Sequence, residues 1–119
     1  MFQEYKKNKI KICIVGGGYI GLPLATSFAK KNFNVTLFDI NKKRIKTLRK
    51  GIDSNNETLK KNLVFFKKIN FTNNSRKLLE PNIFIITAPT PVNKNNVPDL
   101  RYIKEASKTV GSYLKNNNI

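Results

Sequence analysis

The sequence predicts an α/β fold in which helices pack on both faces of a parallel sheet. Short segments rich in β-branched residues alternate with segments whose apolar residues have helical spacing. Glycine-rich or polar turns separate these segments, and this alternation is typical of β-α-β units with right-handed crossovers. With 119 residues, 39% of them hydrophobic, the chain has the size and composition of one domain with a single core.

The first half of the chain predicts one complete β-α-β unit. The apolar run at residues 10–15 predicts a buried strand, and residues 20–32 carry apolar side chains with helical spacing. Residues 35–40 predict the second strand. Asn41 then stands where it would cap a helix that ends near residue 50, and Gly51 follows at its carboxyl end.

The second half predicts two further strands and a final helix. Residues 57–68 are weakly helical, residues 69–72 predict a short strand, and residues 75–79 predict a turn or two of helix. Residues 83–88 form the most apolar run and predict the most clearly buried strand, after which Asp99 would cap a helix to about residue 114. We therefore expect an incomplete doubly wound sheet of about four strands, in the order 3-2-1-4, over residues 10–119, after a polar extension at residues 1–9.

The charge balance is strongly basic, with 23 Lys and Arg against 7 Asp and Glu. Such a surface attracts polyanions in dilute salt. The cations are spread through every segment, and the usual nucleic-acid reader motifs are absent, so we expect no specific nucleic-acid site. A non-enzymatic basic nucleic-acid-binding protein remains an alternative hypothesis.

Cys13 is the single cysteine, and the sequence has no histidine. An intramolecular disulfide and the usual zinc clusters are therefore excluded, and we expect no metal site. A reducing, cytoplasmic setting is the simplest interpretation, and no apolar run approaches the roughly 18 residues of a membrane span. Packing in the core is expected for Cys13 and for the aromatic side chains of Phe65, Phe66, Phe71, Tyr102 and Tyr113.

The stretch from Gly16 to Gly21 satisfies the pattern G-x-G-x-x-G between a predicted strand and a predicted helix. In such a turn Gly16 allows the tight exit from the strand, Gly18 lets a pyrophosphate approach the backbone, and Gly21 lets the helix pack closely on the sheet. The amino terminus of the helix offers free N–H groups to phosphates. The motif and its context predict a Rossmann-like dinucleotide site.

Asp39 ends the second predicted strand, where a carboxylate can accept both ribose hydroxyls of an adenosine. The same carboxylate would repel a 2′-phosphate, so NAD is favoured over NADP. Lys42, Lys43 and Arg44 weaken this preference, because nearby cations can accommodate a phosphate.

Two families resemble the stretch from Ile14 to Leu22: the flavoprotein disulfide reductases, through their NAD segment, and the UDP-glucose/GDP-mannose dehydrogenases. Leu22-Pro23 and Asp39-Ile40-Asn41 resemble the second family. Its further matches are Ala88-Pro89-Thr90-Pro91 and Val97-Pro98-Asp99-Leu100. An NAD module of a flavin reductase remains the weaker alternative, because it would require a redox cysteine pair.

A narrower resemblance links residues 51–54, Glu57 and Phe71-Thr72 to the bacterial branch that oxidises UDP-N-acetylhexosamines for surface polysaccharides. Lys60 and Lys61 depart from the family, which usually has acidic residues there. The resemblance implies oxidation of the C6 alcohol of a UDP-sugar to a uronic acid, and homo-oligomers of the full-length enzyme. Because the sequence has no long apolar run, we also expect no membrane association. It also implies a catalytic cysteine far beyond position 119, so no catalytic residue is expected here.

The resemblance also implies roles for individual residues around NAD. Asp39 would contact the adenosine ribose, Arg44 would lie on the adenine side, and Thr90 would lie near the cofactor. The NAD pyrophosphate would be lined by Gly16, Gly18, Tyr19, Ile20 and Gly21.

Overall fold

The computed structural model describes residues 9–54 and 60–119. Its centre is one sheet of four parallel strands in the order β3-β2-β1-β4, which confirms the predicted class and strand order. The strands are β1 (Lys11–Val15), β2 (Asn34–Phe38), β3 (Ile69–Thr72) and β4 (Ile83–Ile86). Residues 1–8 lie outside the described residues, so the predicted polar extension stays a prediction.

In the described residues three α-helices connect and cover the strands: α1 (Gly21–Lys30), α2 (Lys42–Arg49) and α3 (Arg101–Tyr113). The predicted α1 extends to residue 32, but the helix ends earlier because Asn32 adopts a left-handed φ of 61°. Asn41 caps α2 as predicted, accepting a 3.1 Å hydrogen bond from the Arg44 N–H. Residues 60–68 and 75–79 form 3₁₀ helices, whereas residues 57–59 of the predicted helical segment lie outside the described residues.

The core lies on both faces of the sheet, as a doubly wound fold requires. Alternate residues of β1 serve the two faces, because successive side chains of a strand point in opposite directions. Ile12 and Ile14 join the larger cluster with α1 and α2, and Cys13 and Val15 join the smaller one with α3. The centre of the sheet is therefore packed on both faces where β1 leads into the glycine-rich turn.

The prediction that residues 83–88 form the most buried strand is wrong. The strand β4 is half-buried along its whole length and ends at Ile86. It lies beside β1 at the edge of the four-stranded sheet, and β1 itself ends at Val15, so residue 88 has no strand to pair with. On the outer side of β4, Ile119 pairs in the parallel pattern, donating to the Asn82 carbonyl and accepting from the Phe84 N–H.

The start of α3 lies one residue later than predicted. Leu100 occupies the cap position, while the Asp99 carboxylate accepts a 3.0 Å bond from the Arg101 N–H. Hydrogen bonds from Arg101 lower the pKa of Asp99 to about 2.

Phe66 and Phe71 are buried as predicted, with Phe65 and Tyr113 half-buried. Tyr102 is 43% exposed, so its placement in the core is wrong, because α3 turns this ring toward a cleft at the strand ends.

Among residues 9–54 and 60–119, no helix is long and apolar enough to cross a membrane. In the same part of the chain, no group of three or more His, Cys, Asp or Glu side chains is placed to hold a metal ion.

Candidate functional site

The candidate site lies at the carboxyl ends of β1, β2 and β4. The strand order reverses at β1, because the chain continues to β2 on one side and returns to β4 on the other. Open α/β sheets bind ligands at such a switch point, outside the carboxyl ends of the strands. The turn between β1 and α1, residues 16–20, is here called the glycine loop.

Gly16 makes the tight turn out of β1. Its φ is +114°, a conformation that residues with a Cβ rarely adopt. Its N–H donates a 2.8 Å bond to the Phe38 carbonyl, and an added Cβ would lie 3.0 Å from the Thr87 carbonyl oxygen. The predicted steric role of Gly16 is confirmed.

Gly21 lets α1 begin directly against the glycine loop. A Cβ at this position would overlap the Gly16 carbonyl oxygen and lie 2.6 Å from Oγ1 of Thr87. Because one of these neighbours is backbone, the overlap could be relieved only by moving the loop or the helix. The predicted packing role of Gly21 is also confirmed.

The first turn of α1 presents free backbone donors. Among the described residues, no acceptor lies within hydrogen-bond reach of the N–H groups of residues 18–21, as expected for the first turn of a helix. Nothing lies within 4 Å of the position that a Cβ on Gly18 would take. The side chains of Tyr19 and Ile20 are exposed, so this turn is open to an anionic ligand.

Asp39 is held at the end of β2 by one hydrogen bond to each carboxylate oxygen. Oδ2 accepts from the Gly17 N–H and Oδ1 accepts from the Asn41 N–H, both at 2.8 Å. An ionised carboxylate has about four lone-pair positions. The two oxygens therefore keep acceptor capacity for two further donors, such as a pair of ribose hydroxyls.

Two clefts meet at Asp39. A largely apolar cleft of about 140 Å³ lies between the strand ends and α3, and a cleft of about 320 Å³ lies between the glycine loop and α2. Here the first is called the α3 cleft and the second the α2 cleft. Residues lining the α3 cleft include Ile40, Pro89, Tyr102, Glu105, Ala106 and Thr109. Residues lining the α2 cleft include Gly18, Asn41, Lys43, Arg44, Thr47 and Ser54.

Arg44 lines one of these clefts, whereas Thr90 lines neither of them. The Arg44 side chain is buried in the wall of the α2 cleft and donates to the Gly17 carbonyl and to Asp53. Thr90 is exposed and lines neither the α2 nor the α3 cleft. Their contacts with a cofactor stay predictions.

Sequence reasoning missed three residues of the site. Thr87 follows β4, and its hydroxyl lies 3.0 Å from the Gly16 carbonyl oxygen. Gly17 occupies a variable position of the motif, yet a Cβ there would lie 2.8 Å from Leu37 Cδ2. Asp53 is a buried acid after α2 that pairs with Arg44. The sequence shows that Thr87 and Asp53 are polar residues beside the end of a predicted strand or helix. It does not show which residue each of them contacts.

A comparison with family models decides the assignment. The model of the UDP-glucose/GDP-mannose dehydrogenase family, NAD binding domain, matches residues 10–119. The chain belongs to the UDP-glucose/GDP-mannose dehydrogenase family. The matched region is an NAD-binding domain, which confirms the predicted family and cofactor and sets aside the flavoprotein alternative.

Individual members of the family are similar over most of this chain. It is 45% identical to UDP-N-acetyl-D-glucosamine 6-dehydrogenase of Salmonella typhi, over 94% of the chain and 26% of the relative. Identity to the enzyme of that name from Pseudomonas aeruginosa is 44%, over 92% of the chain and 26% of the relative. The chain thus spans about a quarter of the length of these relatives.

A solved family structure has the same fold. The chain superposes on the UDP-D-ManNAc dehydrogenase of Pyrococcus horikoshii with a TM-score of 0.82 and 29% identity. The superposition covers 92% of this chain and 27% of the other. The four-stranded unit therefore corresponds to one part of a larger dehydrogenase of this family.

Proposed function

We propose that this chain is the NAD-binding part of an enzyme that oxidises the C6 alcohol of a UDP-sugar, specifically a UDP-N-acetylhexosamine, to a uronic acid. The observation that carries the cofactor half of this proposal is the position of Asp39. Its carboxylate is bonded to the Gly17 N–H, has acceptor capacity left, and lies beside the free N–H groups of the first turn of α1. The substrate half rests on the similarity to UDP-N-acetyl-D-glucosamine 6-dehydrogenases.

The free N–H groups would receive the pyrophosphate. The backbone at Gly18, Tyr19, Ile20 and Gly21 offers donors at the positive end of the helix dipole, and the open space at Gly18 admits a phosphate close to the chain. Gly16 contributes by turning the chain so that these groups face outward. The residues present therefore fit a dinucleotide.

The adenosine would extend from Asp39 into the α3 cleft. Asp39 would accept the two ribose hydroxyls, and the adenine would lie between Ile40, Pro89 and Tyr102, where the wall is mostly apolar. Arg44 lines the other cleft, so this placement differs from the adenine-side role that the family resemblance implies for it. Thr90, one residue beyond Pro89, remains a candidate contact.

NAD is favoured over NADP at this site. A 2′-phosphate on the ribose would meet the Asp39 carboxylate, and like charges at contact distance repel strongly. Lys43 lines the α2 cleft and offsets part of this repulsion.

Bound NAD would supply the hydride acceptor for the oxidation. We infer that the described residues bind and orient that cofactor, and that the remainder of the reaction requires groups that these residues do not include. Cys13 is fully buried, and desolvation raises the pKa of its thiol to about 12, so it is not a nucleophile at neutral pH. We propose that this chain by itself does not oxidise UDP-sugars. A single buried thiol suits a reducing compartment, and we assign the chain to the cytoplasm on that ground.

Isothermal titration calorimetry with NAD and NADP tests the proposal. The chain should bind NAD more tightly than NADP, and Asp39→Asn should weaken NAD binding about tenfold by removing a charged acceptor. The matched control is Asp99→Asn, because Asp99 is bonded to Arg101 and lies in neither cleft. Equal NAD affinity in the wild type and Asp39→Asn would contradict the assignment of Asp39. NADH formation from UDP-N-acetylglucosamine would contradict the claim that this chain alone is inactive.

A further inference from the structure

We propose that Arg44 is a positioning residue: it holds the Gly17 carbonyl so that the Gly18 N–H faces the diphosphate site. This inference rests on the proposed NAD function but concerns a group that need not touch the cofactor. It assigns to Arg44 a role within the chain, on the wall of the α2 cleft, in addition to the adenine-side contact that the family resemblance implies.

The contacts of Arg44 fix its guanidinium at both ends. Nε donates a 2.9 Å bond to the Gly17 carbonyl oxygen, and Nη1 donates a 2.9 Å bond to Oδ1 of Asp53. The side chains of this ion pair are 7% and 3% exposed. Because Arg44 lies in the first turn of α2, whose Asn41 cap bonds its N–H, the backbone beneath the side chain is fixed as well.

Peptide geometry carries this contact to the next residue. A trans peptide is planar, and its C=O and N–H groups point in opposite directions. When Arg44 draws the Gly17 carbonyl toward α2, the Gly18 N–H of the same peptide is turned away from Arg44. That N–H has no acceptor among the described residues, and the space beside Gly18 is open.

The preceding peptide is held by different groups. The Gly16 carbonyl oxygen lies 3.0 Å from the Thr87 hydroxyl, and the Gly17 N–H donates to Asp39. Consecutive glycines have the greatest backbone freedom, so an unrestrained loop would lose entropy on binding a ligand. Arg44 supplies the restraint on the peptide between Gly17 and Gly18.

Burial of the ion pair supports a positioning role. Taking two charges out of water is expensive, so a buried pair is weak evidence for a gain in stability. Here Arg44 bridges two segments of the chain. Its Nη1 pairs with Asp53 after α2, and this pairing holds its Nε at the Gly17 carbonyl of the glycine loop.

The test compares Arg44→Lys with Arg49→Lys in the 119-residue chain. Arg49 is the matched control, because it lies on the same helix and its Nε donates a 3.0 Å bond to a backbone carbonyl, that of Phe71. A lysine keeps the charge but cannot reproduce the Nε geometry. We expect Arg44→Lys alone to shift the Gly18 amide resonance in the ligand-free protein. It should also weaken ADP binding about tenfold, with adenosine binding little changed.

Two outcomes would overturn the inference: a Gly18 amide unchanged in Arg44→Lys, or ADP affinities that are equal in the two variants. If Arg44→Lys does not fold, Asp53→Asn serves in its place, because the amide keeps an acceptor for Nη1 while the charge is lost; we expect the same changes, smaller in size. If the wild type binds neither NAD nor ADP, the proposed function fails, and the Gly18 resonance in the ligand-free protein still decides the positioning role.

Discussion

The Asp39 carboxylate accepts a 2.8 Å hydrogen bond from the Gly17 N–H, which ties the end of β2 to the glycine loop. The carboxylate proposed to bind the ribose is therefore hydrogen-bonded to the loop proposed to bind the diphosphate. Thr87, after β4, and Arg44, on α2, donate hydrogen bonds to the Gly16 and Gly17 carbonyls of the same loop.

Gly18→Ala should weaken NAD binding while leaving folding almost unchanged. A Cβ at Gly18 meets no protein atom within 4 Å, and the backbone there does not have a positive φ, so alanine fits the folded chain. The same Cβ would occupy the space into which the diphosphate is proposed to fit. We expect at least a roughly tenfold loss of NAD affinity by calorimetry, and a change in unfolding free energy below about 1 kcal/mol in urea.

Gly111→Ala is the control for that prediction. Gly111 also has open space around it, but it lies within α3, where alanine is preferred over glycine by about 1 kcal/mol. This variant should bind NAD as the wild type does and should be slightly more stable. Equal NAD affinity of Gly18→Ala and Gly111→Ala would show that the diphosphate does not approach Gly18.

Gly21→Ala should destabilise the fold itself. The added Cβ would overlap the Gly16 carbonyl oxygen and crowd the Thr87 hydroxyl, so α1 or the glycine loop must move. Overpacking of this kind costs about 1–3 kcal/mol or more. Urea denaturation should show a lower midpoint than in Gly18→Ala, and matching midpoints in the two variants would refute the close packing of α1 on the loop.

Thr87→Val should loosen the glycine loop, with Thr87→Ser retaining most of the wild-type behaviour. Valine keeps the shape of threonine but removes the hydroxyl that lies 3.0 Å from the Gly16 carbonyl oxygen and 3.2 Å from the Val15 carbonyl oxygen. The Gly16 carbonyl is half-buried and the Val15 carbonyl keeps the Thr87 N–H as a donor, so losing the hydroxyl should cost about 0.5–1.5 kcal/mol. Hydrogen exchange at Gly16 and Gly17 should quicken in Thr87→Val, and unchanged exchange would remove Thr87 from the site.

Cys13 should make the stability of the fold fall at alkaline pH. Burial raises the pKa of its thiol from 9.0 to about 12, so between these values the unfolded chain has lost the proton that the folded chain keeps. The stabilisation is therefore present below pH 9 and is lost as the pH rises, at about 1.4 kcal/mol per pH unit.

The measurement for Cys13 is urea unfolding between pH 8 and pH 10, compared with Cys13→Ala. The variant differs from the wild type only at position 13, so the difference between the two slopes isolates the thiol. A thiol reagent should label the folded wild type no faster than the chain unfolds. Parallel slopes, or rapid labelling of the folded chain, would contradict the burial of Cys13.

The sequence by itself determined the order of the strands and helices and the positions of the glycine loop and Asp39. Helical and strand periodicity are local properties, so β1, α1, β2 and α2 were predicted within a few residues of their observed ends. The spacing of Gly16, Gly18 and Gly21 after a strand, and of Asp39 after the next, likewise reports a local turn and two adjacent strand ends. These features follow from neighbours along the chain.

The tertiary structure decided which distant residues contact the glycine loop. Thr87 reaches Gly16 across 71 positions of sequence and Arg44 reaches Gly17 across 27, and no periodicity encodes such contacts. The exposure of β4 and of Tyr102 was decided in the same way, by the edge position of the strand and the cleft beside α3. Burial and hydrogen-bond partners depend on what the fold brings alongside a residue, whereas apolarity and spacing can be known before the chain has folded.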